Sequence, residues 1–171
     1  RALIGLPEIK LGICPGFAGT VRLPRLVGAD NAIDIIAAGK ALKADAAFAM
    51  TLGDAVVEPE LLEQAGMSLL EQAIAGDFDW EARRAQKTGK LSMGMVEQMM
   101  CFSTAKGFIQ SKAGRDYPAP VTAVKAIERA ASMTRDDAIK VESKAFVKLA
   151  KTSVADSLIG LYHNEQLIKR K

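Results

Sequence analysis

Residues 2–20 decide the fold, and they read Ala-Leu-Ile-Gly-Leu-Pro-Glu-Ile-Lys-Leu-Gly-Ile-Cys-Pro-Gly-Phe-Ala-Gly-Thr. The first five of them, Ala2–Leu6, are an apolar run of the length that predicts a buried strand. Pro7 ends this run, and the stretch from Pro7 to Gly19 is rich in glycine and proline. Such a composition predicts a compact, irregular loop after the strand.

A single carboxylate, Glu8, stands where the strand passes into this loop. A carboxyl group held there, at the wall of an apolar cavity, would be suited to proton transfer. Glycines such as Gly12 and Gly16, with Pro15 between them, would let the backbone approach a substrate or a water closely. The alternative is a glycine- and proline-rich turn with an exposed glutamate, and spacing alone leaves both interpretations open.

The rest of the chain predicts a mostly α-helical fold with a few short strands. Asp30 is the expected N-cap of one helix, and glycines are expected to end several others. Thr134 with Asp137 resembles a capping box. The predicted helices are Val21–Val27, Asn31–Ala38, Ala44–Leu52, Leu61–Ala75, Met93–Lys112, Val121–Ser132 and a final helical region after Thr134. Ala55–Val57 is predicted as a short strand, and residues 77–90 as a polar, charged connecting segment.

Composition narrows the class of protein. Of the 171 residues, 49% are hydrophobic and 25% are charged, which is typical of a globular domain. Residues 1–85 carry 8 basic and 12 acidic side chains, whereas residues 86–171 carry 15 and 8. The basic second half would attract an anionic ligand, although solvated helix surfaces explain it more simply. With 5% aromatic residues and no nucleic-acid reading motif, nucleic-acid binding is not expected. Two isolated cysteines favour a reducing compartment, and we expect the cytoplasm.

The loop from Pro7 to Thr20 resembles the second signature segment of the crotonase (enoyl-CoA hydratase/isomerase) superfamily. There a Pro-Glu pair precedes a glycine, then Pro-Gly and a further glycine pair; Ala18 departs from this pattern. The segments Arg22–Gly28, Ala37–Lys40 and Pro120–Lys125 are also similar to that superfamily. The resemblance covers nearly the whole chain, and it implies an α/β parent domain of the ClpP/crotonase spiral type.

The pattern in residues 146–152 and 158–166 is similar to one group within that superfamily: the multifunctional enzymes of bacterial fatty-acid oxidation complexes. In that group a long helix leads from the hydratase/isomerase domain into a 3-hydroxyacyl-CoA dehydrogenase. The resemblance therefore implies that residues 1–133 are the C-terminal part of a hydratase/isomerase domain and that residues 134–171 are a helical linker. The chain opens at Arg1 instead of Met, on an apolar run, and we expect a fragment.

The resemblance also implies a reaction. Water adds across a 2-enoyl-CoA to give 3-hydroxyacyl-CoA, and 3-enoyl-CoA is isomerised, by two glutamates and two backbone N–H groups. Glu8 matches the second glutamate, with Gly12, Pro15 and Gly16 in the substrate and water loop. The first glutamate and the N–H donors belong upstream and are not in this sequence, so the isolated chain is expected to be inactive. No metal or hydratase cofactor is implied; NAD is implied only for the dehydrogenase domain.

The implied partners are acyl-CoA, the remainder of the same polypeptide and a thiolase (beta) subunit. Self-association is a further possibility. Two rival functions stay open: a non-catalytic helical assembly module, or part of a monofunctional crotonase-type enzyme. Among other residues, His163 lacks a partner at triad spacing, Cys14 favours packing, and Lys106 and Lys125 favour solvated surface. The methionines Met93, Met95, Met99 and Met100 fit a helix core better than an acyl tunnel.

Overall fold

The computed structural model of the chain describes residues 2–170. The outer boundaries of the two predicted domains, Arg1 and Lys171, lie outside these residues. The fold is mostly α-helical, as the sequence predicts. A two-stranded antiparallel sheet pairs β1 (Leu3–Gly5) with β2 (Ala41–Lys43), with Ile4 opposite Leu42. Short 3-10 helices cover Pro7–Leu11 and Pro59–Leu61. The α-helices are α1 (Gly19–Val27), α2 (Ala29–Ala38), α3 (Ala44–Ala49), α4 (Leu62–Ala75), α5 (Trp80–Thr88), α6 (Met95–Ala113), α7 (Ala119–Ala130), α8 (Arg135–Ala150) and α9 (Ser153–Lys169).

Helix α7 is the centre of the core, because it packs against α1, α2, α6 and α8. Its sequence is rich in alanine and valine, so its neighbours approach closely, and Ala119, Ala123 and Val124 are fully buried. Phe102 of α6 and Ile36 of α2 fill the space beside it. The core therefore lies between helices and not between sheet layers. No helix within residues 2–170 is both long enough and apolar enough to span a membrane.

Several predicted boundaries are set by glycines and agree with the structure. Helix α1 ends at Gly28, α2 at Gly39 and α4 at Gly76, and Gly39 and Gly76 adopt the left-handed conformation that ends a helix. Asp30, however, is not an N-cap, because α2 already begins at Ala29. Thr134 precedes α8, but its hydroxyl bonds to the Asp137 side chain, so the predicted capping box does not form.

Other predictions were wrong. The opening strand is exposed, with Leu3 at 66%, because β2 is its only paired neighbour among the described residues. Residues 55–57 are exposed coil with no strand to pair with. The segment 77–90 contains α5, whose N-terminus is capped by the Asp79 carboxylate, which accepts from the Ala82 N–H. Helix α3 ends at Ala49, short of the predicted Leu52.

The C-terminal region consists of two helices. Helix α8 ends at Lys151, and the Thr152 hydroxyl accepts a hydrogen bond from the Ala155 N–H at the start of α9. Helix α8 packs against α1 and α7, whereas α9 contacts the 3-10 helix Pro7–Leu11 and α8. Residues 134–150 are therefore integrated in the same core as α7. Their assignment to a linker remains a prediction.

The turn before α1 holds two non-glycine residues in the left-handed region, Phe17 at φ 51° and Ala18 at φ 64°. Phe17 is 98% exposed, while the Ala18 methyl group is buried. A side chain in this region costs about 1–2 kcal/mol per residue. The cost persists because the surrounding contacts fix the turn.

We expect Phe17→Gly to raise the free energy of unfolding by about 0.5–1 kcal/mol, because it relieves the strain and removes no buried contact. Ala18→Gly is the matched control: it relieves the same strain but removes a buried methyl group worth about 0.8 kcal/mol, so its effect should be near zero. Urea denaturation followed by circular dichroism measures both. A clear loss of stability in Phe17→Gly would contradict the strain at this position.

Candidate catalytic loop

The loop that the sequence singles out begins as a 3-10 helix with Pro7 in its first turn. Proline fits there because its fixed φ suits a helix start and its missing N–H has no partner to lose. Gly12 ends the helix in the left-handed conformation, and its N–H bonds back to the carbonyl of Ile9 at 3.0 Å. Glu8 is thus placed in the first turn of a short, well-defined helix, where the sequence predicted an irregular loop.

The Glu8 carboxyl group carries the most unusual polar atom of the site. Its Oε2 is buried and has no hydrogen-bond partner, and it is the only buried side-chain polar atom of which this is true within residues 2–170. Leaving a buried carboxylate oxygen unpaired costs on the order of 1–3 kcal/mol or more. Such groups are rare in native structures, and a catalytic role is one of the explanations for them.

The two glycines of the candidate substrate and water loop both lie against the C-terminal helices. A Cβ on Gly12 would lie 3.0 Å from Ala155 Cα, so only glycine allows α9 to come this close. A Cβ on Gly16 would lie 3.7 Å from the Phe146 ring of α8. Pro15 between them is buried. Their contact with substrate remains a prediction, whereas their packing against α8 and α9 is observed.

A further close approach occurs at Gly19, the first residue of α1. A Cβ there would lie 2.7 Å from Pro15 Cβ, so any side chain would force the loop away from the helix. At the other end of the loop, the Tyr117 hydroxyl donates a hydrogen bond to the Ile9 carbonyl. Burial raises the pKa of Tyr117, which keeps this hydroxyl a donor.

Glu142 is the functional candidate that sequence reasoning missed. It lies on α8 and is 2% exposed. Its Oε1 accepts from the Ala18 N–H at 2.6 Å, and its Oε2 accepts from the Thr20 N–H at 2.7 Å and from the Thr20 hydroxyl at 2.6 Å. A signal was available, because Glu142 falls on the same helix face as Ala138, Ala145 and Leu149. A carboxylate on an otherwise apolar face requires a buried partner.

Cys14 lies within the field of both carboxylates. It is fully buried, and burial raises the pKa of its thiol to about 12. The negative charge of Glu142 adds to this shift, and the charge of Glu8 adds a smaller amount. The packing role expected for Cys14 agrees with this environment, since such a thiol stays protonated and inert at neutral pH.

Arg25 anchors the other end of α1. Its guanidinium donates to the carbonyls of Val21, Gly89, Ala130 and Met133 at 2.6–3.3 Å. Burial lowers the pKa of Arg25. The hydrogen bonds connect α1 to the ends of α5 and α7, so the helix that follows the loop is fixed along its whole length.

The described residues line two main cavities, and Glu8 lines neither of them. One, of about 340 Å³, lies between β1, α1 and α2. The other is a largely apolar groove of about 1280 Å³ between α2 and α6, and Met95 and Met100 line it. The core role favoured for the methionines was wrong for Met95, Met99 and Met100, which are 64–88% exposed.

The remaining candidates lie away from the loop. His163 is exposed, and its ring meets the edge of Tyr162 at 5.9 Å between centroids. Lys106 forms an ion pair with Glu128 at 2.7 Å, and Lys125 is exposed. Glu60 is exposed in the second 3-10 helix.

Comparison with known proteins shows which sequences the chain is similar to. Residues 1–79 match the enoyl-CoA hydratase/isomerase family. The chain is 57% identical to the fatty acid oxidation complex subunit alpha of Pseudomonas putida and of Ectopseudomonas oleovorans, and 56% identical to that of Pseudomonas aeruginosa. Each alignment spans 170 residues, which is 99% of this chain and 24% of the relative. The chain thus spans about a quarter of the length of these curated relatives, and the segment that matches the enoyl-CoA hydratase/isomerase family contains Glu8.

Proposed function

We propose that this chain is part of a fatty-acid β-oxidation enzyme and that Glu8 is one of two acid–base groups for hydration of 2-enoyl-CoA. The observation that carries the proposal is the buried, unpartnered Oε2 of Glu8 within the family-matched segment. In the reaction, water adds its hydroxyl group to C3 of the enoyl thioester and a proton is delivered to C2. A carboxyl group with a free, desolvated oxygen is suited to move that proton.

The length of the relatives and the sequence resemblance support the more detailed parts of the proposal. A protein of their length has room for the 3-hydroxyacyl-CoA dehydrogenase, with its NAD, that the sequence resemblance implies. The same resemblance supports isomerisation of 3-enoyl-CoA, a thiolase subunit as partner and a location in the cytoplasm. Both cysteines are free thiols, which agrees with that location. No metal is required by this chemistry.

The isolated chain is proposed to be inactive, because the first glutamate and the oxyanion-hole donors are not among its residues. Loss of one such donor alone typically costs about a hundredfold or more in rate. Activity therefore has to be measured in the full-length polypeptide.

In the full-length polypeptide, Glu8→Gln should lower the rate of crotonyl-CoA hydration by about 10²–10⁴-fold, because the amide cannot transfer the proton. The melting temperature should change little, since Oε2 makes no hydrogen bond that would be lost and the amide has nearly the same shape. Glu60→Gln is the matched control at an exposed 3-10 helix start, and it should retain full activity. Equal hydration rates in the two variants would exclude Glu8 as a catalytic residue.

A second candidate function, assembly through exposed apolar surface, is favoured by α4. This helix has no buried residue, and Met67, Leu70 and Ile74 share one exposed face. A contiguous apolar face of this kind is typical of an association surface.

The isolated chain should therefore self-associate, and multi-angle light scattering should give a mass above the 18.3 kDa of one chain. The double substitution Leu70→Gln and Ile74→Gln should reduce that mass, because it removes the apolar face. Gln72→Ala, an exposed position on the opposite face of α4, serves as the control and should leave the mass unchanged. A wild-type chain that is monomeric at all concentrations would argue against the association surface.

A further inference from the structure

The Glu142 carboxylate has no role in the reaction proposed above. The inference about it rests on the proposed function of Glu8. Glu142 is separated by 122–124 residues from the three donors that it binds. All three donors lie at the end of the candidate catalytic loop, where the chain enters α1. Since Glu142 is 2% exposed, it is not placed to touch a substrate itself.

The turn needs an acceptor from elsewhere in the chain. The N-cap of α1 is Ala18, which has no side-chain oxygen to accept the first amides of the helix. The N–H of Gly19 bonds to the Gly16 carbonyl, which leaves the N–H groups of Ala18 and Thr20 for Glu142. A negative charge at this helix end is also stabilised by the helix dipole.

The loop is therefore fixed at both ends by residues after position 116. At its start, the Tyr117 hydroxyl bonds to the Ile9 carbonyl, and Gly12 packs on Ala155. At its end, Glu142 binds the turn, and Phe146, one helical turn further along α8, contacts Gly16. The attachment at the start of the loop lies on the 3-10 helix that carries Glu8. Only a few residues separate it from the attachment at the end of the loop.

We propose that Glu142 is a positioning residue for the hydration reaction: it fixes the turn at residues 16–20 and thereby the backbone that holds the Glu8 carboxylate. Cys14 precedes the turn in the chain and is fully buried in the same core cluster as Ile9 of the 3-10 helix, so a shift of the turn is transmitted to that helix. Glu142 acts through this packing and not by contact with water or thioester.

The substitution that isolates this role is Glu142→Gln. A glutamine has the same shape, but it has one acceptor oxygen, and its NH₂ group would face either the Ala18 N–H or the Thr20 donors. We call the hydrogen bonds of Glu142 to Ala18 and Thr20 the clamp. In Glu142→Gln the clamp must open either at Ala18 or at Thr20. A displacement of about 1 Å in a catalytic group typically costs on the order of a hundredfold in rate.

The test is a double-substitution cycle on crotonyl-CoA hydration in the full-length polypeptide, with the folded fraction measured by circular dichroism at the assay temperature. Glu142→Gln should lower kcat by about 10- to 100-fold with KM changed by less than about threefold. In the Glu8→Gln background the same substitution should lower kcat by less than about threefold, because its effect passes through Glu8. Glu128→Gln on α7 is the control, and its kcat should match the wild type.

An equal loss of kcat in both backgrounds would show a purely structural role and overturn the inference, as would an unchanged kcat in Glu142→Gln. If Glu142→Gln does not fold, Thr20→Val takes its place in the cycle, because it removes only the hydroxyl donor and keeps the shape. A wild type without hydration activity would overturn the proposed function itself. A Glu8-dependent activity that is insensitive to the clamp overturns this inference alone.

Discussion

The hydrogen bonds of the Glu142 carboxylate are the interaction on which the rest of the structure depends. They bind the N-terminus of α1, a helix that has no cap of its own, to a helix more than a hundred residues later in the chain. Breaking them would leave the Ala18 and Thr20 amides buried without acceptors, and each such group costs about 1–3 kcal/mol. Gly16 lies beside Phe146, which is one helical turn from Glu142 on α8, so its close packing shares the position that these bonds impose.

The protein balances its buried charges with helix ends. Glu142 lies at the N-terminus of α1, where free N–H groups and the helix dipole favour an anion. Arg25 does the reverse: it donates to carbonyls at the C-terminal end of α7 and after α5. Helix α1 is thus held at both ends by groups that need no ion pair. Glu8, which precedes both anchors in the chain, is the one acid whose buried oxygen has no partner among the described residues.

The sequence correctly predicted several features that local signals determine. Glycines ended α1, α2 and α4, and the Pro-Glu pair with its glycines identified the loop and its resemblance to the crotonase superfamily. Helix α5 was missed although Asp79 was a local N-cap signal. The exposure of β1 and the absence of a strand at residues 55–57 depend on which neighbours are present. Glu142 could be suspected from its place on an apolar helix face, but its partners are set by tertiary packing, which spacing does not reveal.

The most direct test of the clamp is amide hydrogen exchange at Ala18 and Thr20. Neither amide has an acceptor in the backbone ladder of α1, so without Glu142 both would exchange as fast as an exposed loop such as residues 54–57. The clamp predicts that both exchange as slowly as the core amides of α7, and that Glu142→Gln accelerates these two while the α7 amides keep their protection. Fast exchange of Ala18 and Thr20 in the wild type would contradict the account.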